Sequence, residues 1–208
     1  YKKVQTQNIV GRLPGSNEQL RDESIVIGAH YDHLGFGGKH SGSRRPDNNE
    51  IHNGADDNAS GVSVMMKLAE EFSKSHSNNR SLVFVGFGAE EMGLWGSKYF
   101  VKSNIIDNDN IQIMINMDMV GRLDKKEKII SIGGTHTAVG LESEIETIIS
   151  KSNLKHSFSP EGYGPSDHSS FYVSDIPVLF FFTGAHSDYH TPEDDAEKIN
   201  YRGMKSIF

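Results

Sequence analysis

The run Leu82-Val-Phe-Val-Gly-Phe87 constrains the fold more than any other stretch of the chain. It is apolar throughout, rich in β-branched and aromatic residues, and does not alternate with polar ones. A strand of that kind is covered on both faces, which is the condition of an inner strand in a mainly parallel sheet. Gly88-Ala89 follows and lets the backbone turn sharply, and two carboxylates, Glu90 and Glu91, come next. Carboxylates just past the C-terminal end of a buried strand stand where open α/β sheets form their ligand crevices. Adjacent residues in such a turn point in different directions. One can therefore bind a metal while the other moves protons.

The remaining elements follow from pattern. Residues 4–13 partly alternate and stop at Pro14-Gly15, which predicts an outer strand and a turn. Residues 24–32 predict a second buried strand that closes on His30-Tyr31-Asp32. Residues 35–53 are polar and Gly-rich without a period, a long loop of the functional kind that rims a pocket. Beyond the turn Gly54–Gly61 the spacing predicts a helix over 62–72, with Val62, Met65, Met66, Ala69 and Phe72 on its buried face and Ser60 as its cap. Further helices are expected over 94–103, over 139–152 and from Glu197 onward. Further strands are expected over 111–117, 128–133 and 177–183, with loops over 162–170 and 184–195. Trp95, Tyr99 and the run Phe180–Phe182 read as core, and His33, His40 and His52 as surface. Phe36, Tyr163 and Phe171 hint at an apolar lining for a substrate pocket. Strands alternating with helices give an α/β three-layer sandwich: a mixed, mainly parallel central sheet with helices on both faces. No repeat or linker interrupts residues 1–208, so they read as a single domain.

The successive elements end in metal-capable residues. His30 ends the second strand, Glu90 and Glu91 the central one and Asp118 the next, while His190 follows the last strand and Asp57 precedes a helix. Parallel strands bring these ends to one edge. The chain has ten histidines and no cysteine, so a metal site here takes His and carboxylate ligands and suits zinc, cobalt or manganese. Asp57 is short enough to bridge two ions, and Asp118 and Glu91 can each complete one. Three carboxylates against two divalent cations leave about one positive charge, which a bridging hydroxide cancels. Glu90 is then free as a general base, and Asp32 can hold the His30 imidazole in its proper tautomer. A net charge of −7 without a basic block argues against nucleic acid as a partner. No apolar run approaches the ~20 residues of a membrane span.

The motifs Gly28-Ala-His-Tyr-Asp32, Gly54-Ala-Asp-Asp-Asn-Ala-Ser-Gly61, Phe87-Gly-Ala-Glu-Glu-Met-Gly-Leu-Trp-Gly-Ser97, Asn116-Met-Asp-Met-Val-Gly121, Ser166-Asp-His-Ser-Ser-Phe171 and Tyr189-His-Thr-Pro-Glu-Asp194 together resemble the M28 family of zinc exopeptidases, in the family's order. The resemblance implies an aminopeptidase acting on peptide substrates through two Zn2+ ions, with Co2+ or Mn2+ as substitutes. It implies Asp57 as the bridge, His30 and Asp118 on one ion, and Glu91 and His190 on the other. It assigns the base to Glu90, oxyanion stabilisation to Tyr189, and support from behind the ligands to Asp32 and Ser166. It also implies a cis peptide between Asp57 and Asn58 and, by family habit, export from a bacterial cell. Carboxypeptidase specificity, a one-zinc acyltransferase of the glutaminyl-cyclase type and an inactive binding domain are the alternatives. The complete ligand set argues against the last two.

Overall fold

A computed structural model describes residues 5–208; residue 4, the first of the expected outer strand, lies outside them. Seven strands form one sheet: β1 (Ile9–Leu13), β2 (Ser24–His30), β3 (Ser81–Phe87), β4 (Ile111–Met117), β5 (Ile129–Gly133), β6 (Lys155–Ser159) and β7 (Val178–Phe182). Their order is β1-β3-β2-β4-β7-β5-β6. The central strands β3, β2, β4 and β7 run parallel, β1 is antiparallel to β3, and β5 is antiparallel to β7. The mixed, mainly parallel sheet is therefore the one expected. The helices are α1 (Gly61–Ser75), α2 (Trp95–Ser103), α3 (Leu141–Ile149), α4 (His168–Tyr172) and α5 (Tyr201–Ile207).

All seven residues of β3 are buried, because its alternate side chains enter two different cores. Val83, Val85 and Phe87 pack with Phe100 of α2 and Phe171 of α4 on one face. Leu82 and Phe84 pack with Val64 and Met65 of α1 on the other. A third cluster, around Ile130, Ile132 and Ile149, seats α3. A strand wedged between two cores has little freedom to slip, since a one-residue shift would exchange its faces.

Several local expectations change. The buried face of α1 comprises Gly61, Val64 and Met65, with Leu68 and Phe72 packed alongside, whereas Met66 is exposed. Ser60 does not cap α1; its hydroxyl donates to Asp56 O and accepts from Val120 N–H. Trp95 and Tyr99 are exposed, because α2 buries the opposite face, Gly96, Ser97, Phe100 and Val101. That choice follows from close packing: a Cβ at Gly96 would fall 2.4 Å from Gly88 O. The loop expected over 162–170 gives way to α4 at His168, and β6 is an additional strand.

Phe171 lies in the core rather than in a pocket. Its ring centroid is 5.9 Å from that of Phe87 and 5.7 Å from that of Phe100, and its side chain is fully buried. The ring ties α4 to α2 and β3. Phe171→Ala is expected to lower the unfolding free energy by about 3–5 kcal/mol, read as an earlier denaturant midpoint with an unchanged slope.

Candidate metal centre

The C-terminal ends of β2, β3 and β4 lie side by side, with His30 opposite Phe87 in the sheet register. His30 is the last residue of β2. Glu90 and Glu91 follow the turn after β3, and Asp118 directly follows β4. Ala89 and Met119, next to Glu90 and Asp118, take left-handed backbone conformations, as does His190 itself. Non-glycine residues adopt this region at a cost, and do so where the surrounding structure demands it.

Asp57 is the meeting point. Its Oδ1 is 3.2 Å from His30 Nε2, and its Oδ2 is 3.2 Å from His190 Nε2. Around the first pair, Asp118 Oδ1 stands 3.5 Å and Glu90 Oε2 4.0 Å from His30 Nε2. Around the second, Glu91 Oε2 is 3.2 Å from His190 Nε2. Both imidazoles turn Nε2 inward and are fixed from behind: His30 Nδ1–H donates to Asp32 O at 3.1 Å, and His190 Nδ1–H to Gly42 O at 3.0 Å. The Asp32 carboxylate lies further from His30, at 3.8 Å; its oxygens accept from the backbone N–H groups of Glu90 and Glu91 instead. The loop 35–53 reaches the site through Gly42 and through Arg44 N–H, which donates to His190 O.

The segment that carries Asp57 is held as tightly. Asp194, fully buried, accepts through Oδ2 from the backbone N–H groups of both Asp56 and Asp57, at 2.8 and 3.0 Å. Asn58 donates to Met117 O and accepts from Gly61 N–H and Met119 N–H. The Asp57–Asn58 peptide is cis. Arg122 reaches Asp188 and Asp194, and His186 reaches Asp56.

The donor set fits divalent cations. Four carboxylates converge on two imidazoles, and Asp118 Oδ1 is buried without a hydrogen-bond partner. Burial alone would lower the pKa of His30, but Asp118 and Asp57 outweigh it and hold it well above the ordinary value. Against the same burial penalty, Asp57 and Glu91 raise His190 to about 10. Burial alone would raise the pKa of Asp57, but His190 and His30 outweigh it and hold it below the usual carboxylate range. Glu91 is lowered likewise by His190 and His33 against burial. Glu90 moves the other way: burial first, then Asp118, Asp167 and Glu91, push it to about 9 despite the opposing His30.

These directions set a pH dependence. Glu90 and His190 hold protons more tightly folded than unfolded. Their stabilisation is full at low pH and is lost as pH rises through about 9 and about 10 respectively. Asp57 and Glu91 have the opposite sign, and their share is lost only at acid pH. The melting temperature of chelated protein is therefore expected to fall from about pH 6 to about pH 10. Saturating zinc, which takes neutral imidazoles and favours ionised carboxylates, should abolish that fall. A chelated protein whose melting temperature climbs across this range contradicts the picture.

The wall beside the centre is apolar, formed by Met119, Pro165, Phe180, Phe182 and Ala185. Phe180 and Phe182 thus line the pocket rather than sit wholly in the core. Tyr189 stacks on the His190 ring at 3.8 Å, half-buried, with its pKa raised by burial and by Asp57 and Glu91, so it stays a hydrogen-bond donor. Ser166 is buried and accepts from Asn116 Nδ2 at 2.8 Å, one residue removed from Met117 and two from Asp118. Two histidines expected at the surface are elsewhere. His52 is buried, bonded to Ser43 Oγ and Glu50 O, and His33 faces Glu91; His40 alone of the three is exposed. Pattern reasoning also gave no role to Asp194. Its signal was in the motif itself, four residues beyond His190.

A model of peptidase family M28 matches residues 8–208. The chain is 29% identical over 203 residues to "Aminopeptidase YwaD" of Bacillus subtilis, covering 94% of this chain and 41% of that one. Among solved structures it is similar to BSAP, a zinc aminopeptidase from Bacillus subtilis, with a TM-score of 0.75 and 28% identity over 96% of this chain and 47% of that one. It is also similar to the LapA aminopeptidase of Legionella pneumophila, with a TM-score of 0.76 and 27% identity over 96% and 50% of the two chains. The chain spans about half the length of the curated relatives it matches.

Proposed function

The chain belongs to peptidase family M28, and from that premise we propose that it is an aminopeptidase that releases the first residue of peptides, working with two zinc ions. The observation that carries this reading is Asp57, whose two carboxylate oxygens each face a different inward-turned histidine at 3.2 Å. His30 and Asp118 would hold one ion, Glu91 and His190 the other, and Asp57 both. Co2+ or Mn2+ suits the same nitrogen and oxygen donors. The relatives named as zinc aminopeptidases support zinc.

Bound ions of this kind lower the pKa of a shared water and polarise a carbonyl. The protein supplies the rest. Glu90, whose Oε2 is 4.0 Å from His30 Nε2, takes the proton of the attacking water and returns it to the leaving amine. The positive charge of bound ions would favour its ionised form, which is the form that accepts a proton. Tyr189, kept protonated, donates to the oxyanion. Asp32 fixes the turn that presents Glu90 and Glu91, and Ser166 steadies Asn116 beneath Asp118. The apolar wall of Met119, Phe180 and Phe182 favours an apolar first residue.

One sheet shared by all three cores supports residues 1–208 as a single domain. No helix among the described residues is long and apolar enough to cross a membrane. Export belongs to this reading on family resemblance alone, and cell fractionation tests it.

The deciding experiment is hydrolysis of a leucyl peptide with a free amine beside its acetylated form, each with and without chelator. Cleavage of the free form only, lost with chelator and restored by zinc, is expected. Cleavage of the acetylated form as well points to carboxypeptidase-type activity and refutes this reading.

A further inference from the structure

His33 stands against the second half of the centre without belonging to the ligand set carried over from the family. Its Nδ1 is 2.7 Å from Glu91 Oε1 and 3.9 Å from Asp57 Oδ2. Its ring meets that of His190 edge-on at 5.8 Å. The ring is confined, because a Cβ on Gly54 would fall 2.7 Å from its Cγ and Cδ2. Glu91 is thereby divided between two histidines: Oε1 faces His33, and Oε2 faces His190 at 3.2 Å.

Two roles are open to such a histidine, and the other ring nitrogen separates them. A metal-bound imidazole donates its remote N–H to a partner. His30 and His190 both do so, to Asp32 O and Gly42 O. His33 Nε2 is buried and has no partner among the described residues. Ligation through Nδ1 would leave a donor N–H there unsatisfied. In the tautomer with its proton on Nδ1, that N–H donates to Glu91 Oε1 and only the lone pair of Nε2 stays unpartnered.

We propose that His33 is a positioning residue for the Glu91–His190 ion: its Nδ1–H holds Glu91 Oε1 away from that ion and presents Oε2 alone to it. The inference rests on the two-ion reading above. It predicts that loss of the donor weakens one ion and spares the other.

The test is competition of Zn2+ between the whole protein and a chromophoric chelator, for wild type, His33→Leu and His33→Asn. The Asn Nδ2–H lies close to the place of the His Nδ1–H. His33→Leu should bind one equivalent as wild type does and the second about 10–100-fold more weakly, and His33→Asn should recover most of that loss. Unchanged affinities in His33→Leu overturn the proposal. So does equal weakening of both ions, and so does His33→Asn behaving as His33→Leu does. Should the leucine variant not fold, His33→Gln, whose amide reaches the Nε2 position, takes its place with the same expectation. The wild-type stoichiometry reports on the underlying reading separately. One equivalent refutes two ions, and the proposal then stands or falls on whether that ion weakens in the leucine variant. No binding at all refutes both.

Discussion

Glu90→Gln should slow peptide hydrolysis by about 10²–10⁴-fold, the usual worth of a positioned general base, while two ions remain bound. The amide has the shape of the carboxylate but cannot accept a proton from water. Glu90 is suited to show this cleanly because the backbone, not its side chain, anchors it: its N–H donates to Asp32 Oδ1 at 3.0 Å. Its carboxylate stands 4.0 Å from His30, further from that ring than Asp57 or Asp118. The substitution removes one of four converging carboxylates and so relieves repulsion rather than creating it. The loss should fall on kcat, with KM little changed, since the interaction matters in the transition state. A variant within about tenfold of wild-type turnover, with its metal intact, would remove Glu90 from the chemistry.

Asp57→Asn is expected to have the broader effect, loss of both ions and of all measurable activity. Asp118 faces only His30 of the two proposed ligand histidines and Glu91 only His190, whereas Asp57 faces both. Neutralising it reduces three ligand carboxylates to two against two dications, and gives one arm of the bridge an amide nitrogen with no lone pair for a metal. The effect on metal affinity should exceed the about 10–100-fold typical of a supporting residue. The backbone of Asp57 is held by Asp194 and that of Asn58 by its own side-chain bonds, so the turn has support independent of the carboxylate. Metal analysis after dialysis, with circular dichroism to follow the fold, reads the result. Retention of two ions would exclude Asp57 as their bridge.

The candidate ligands are legible in the sequence because a parallel sheet turns strand ends into neighbours. His30, Glu90, Glu91 and Asp118 each sit at the end of an apolar run, so locating the runs locates the residues. His190 and Asp57 lie in turns, and are located by the elements they adjoin, the last strand and the first helix. What stayed hidden depends on loop paths. Residues 33–53 carry no period, and nothing local says that His33 turns toward Glu91 or that His52 is buried under Ser43 and Glu50. Apolarity alone does not place Trp95 and Tyr99 inside; Gly96 and Ser97 decide which side of α2 can approach the sheet. The strand β6, Lys-His-Ser-Phe-Ser, is an edge strand with a mostly exposed surface and offers no hydrophobic signal.

The tie between Asp194 and the backbone of Asp56 and Asp57 joins positions 138 and 137 residues apart. The segment that makes it also carries His190. Chain emerging from a ribosome therefore lays down β2, β3 and β4, and can begin to cover them, long before Asp57 has its clamp or the neighbouring His190. Such distant closures come late. On the two-ion reading proposed above, the order of assembly would leave the site incomplete until the segment carrying His190 and Asp194 has been synthesised and docked.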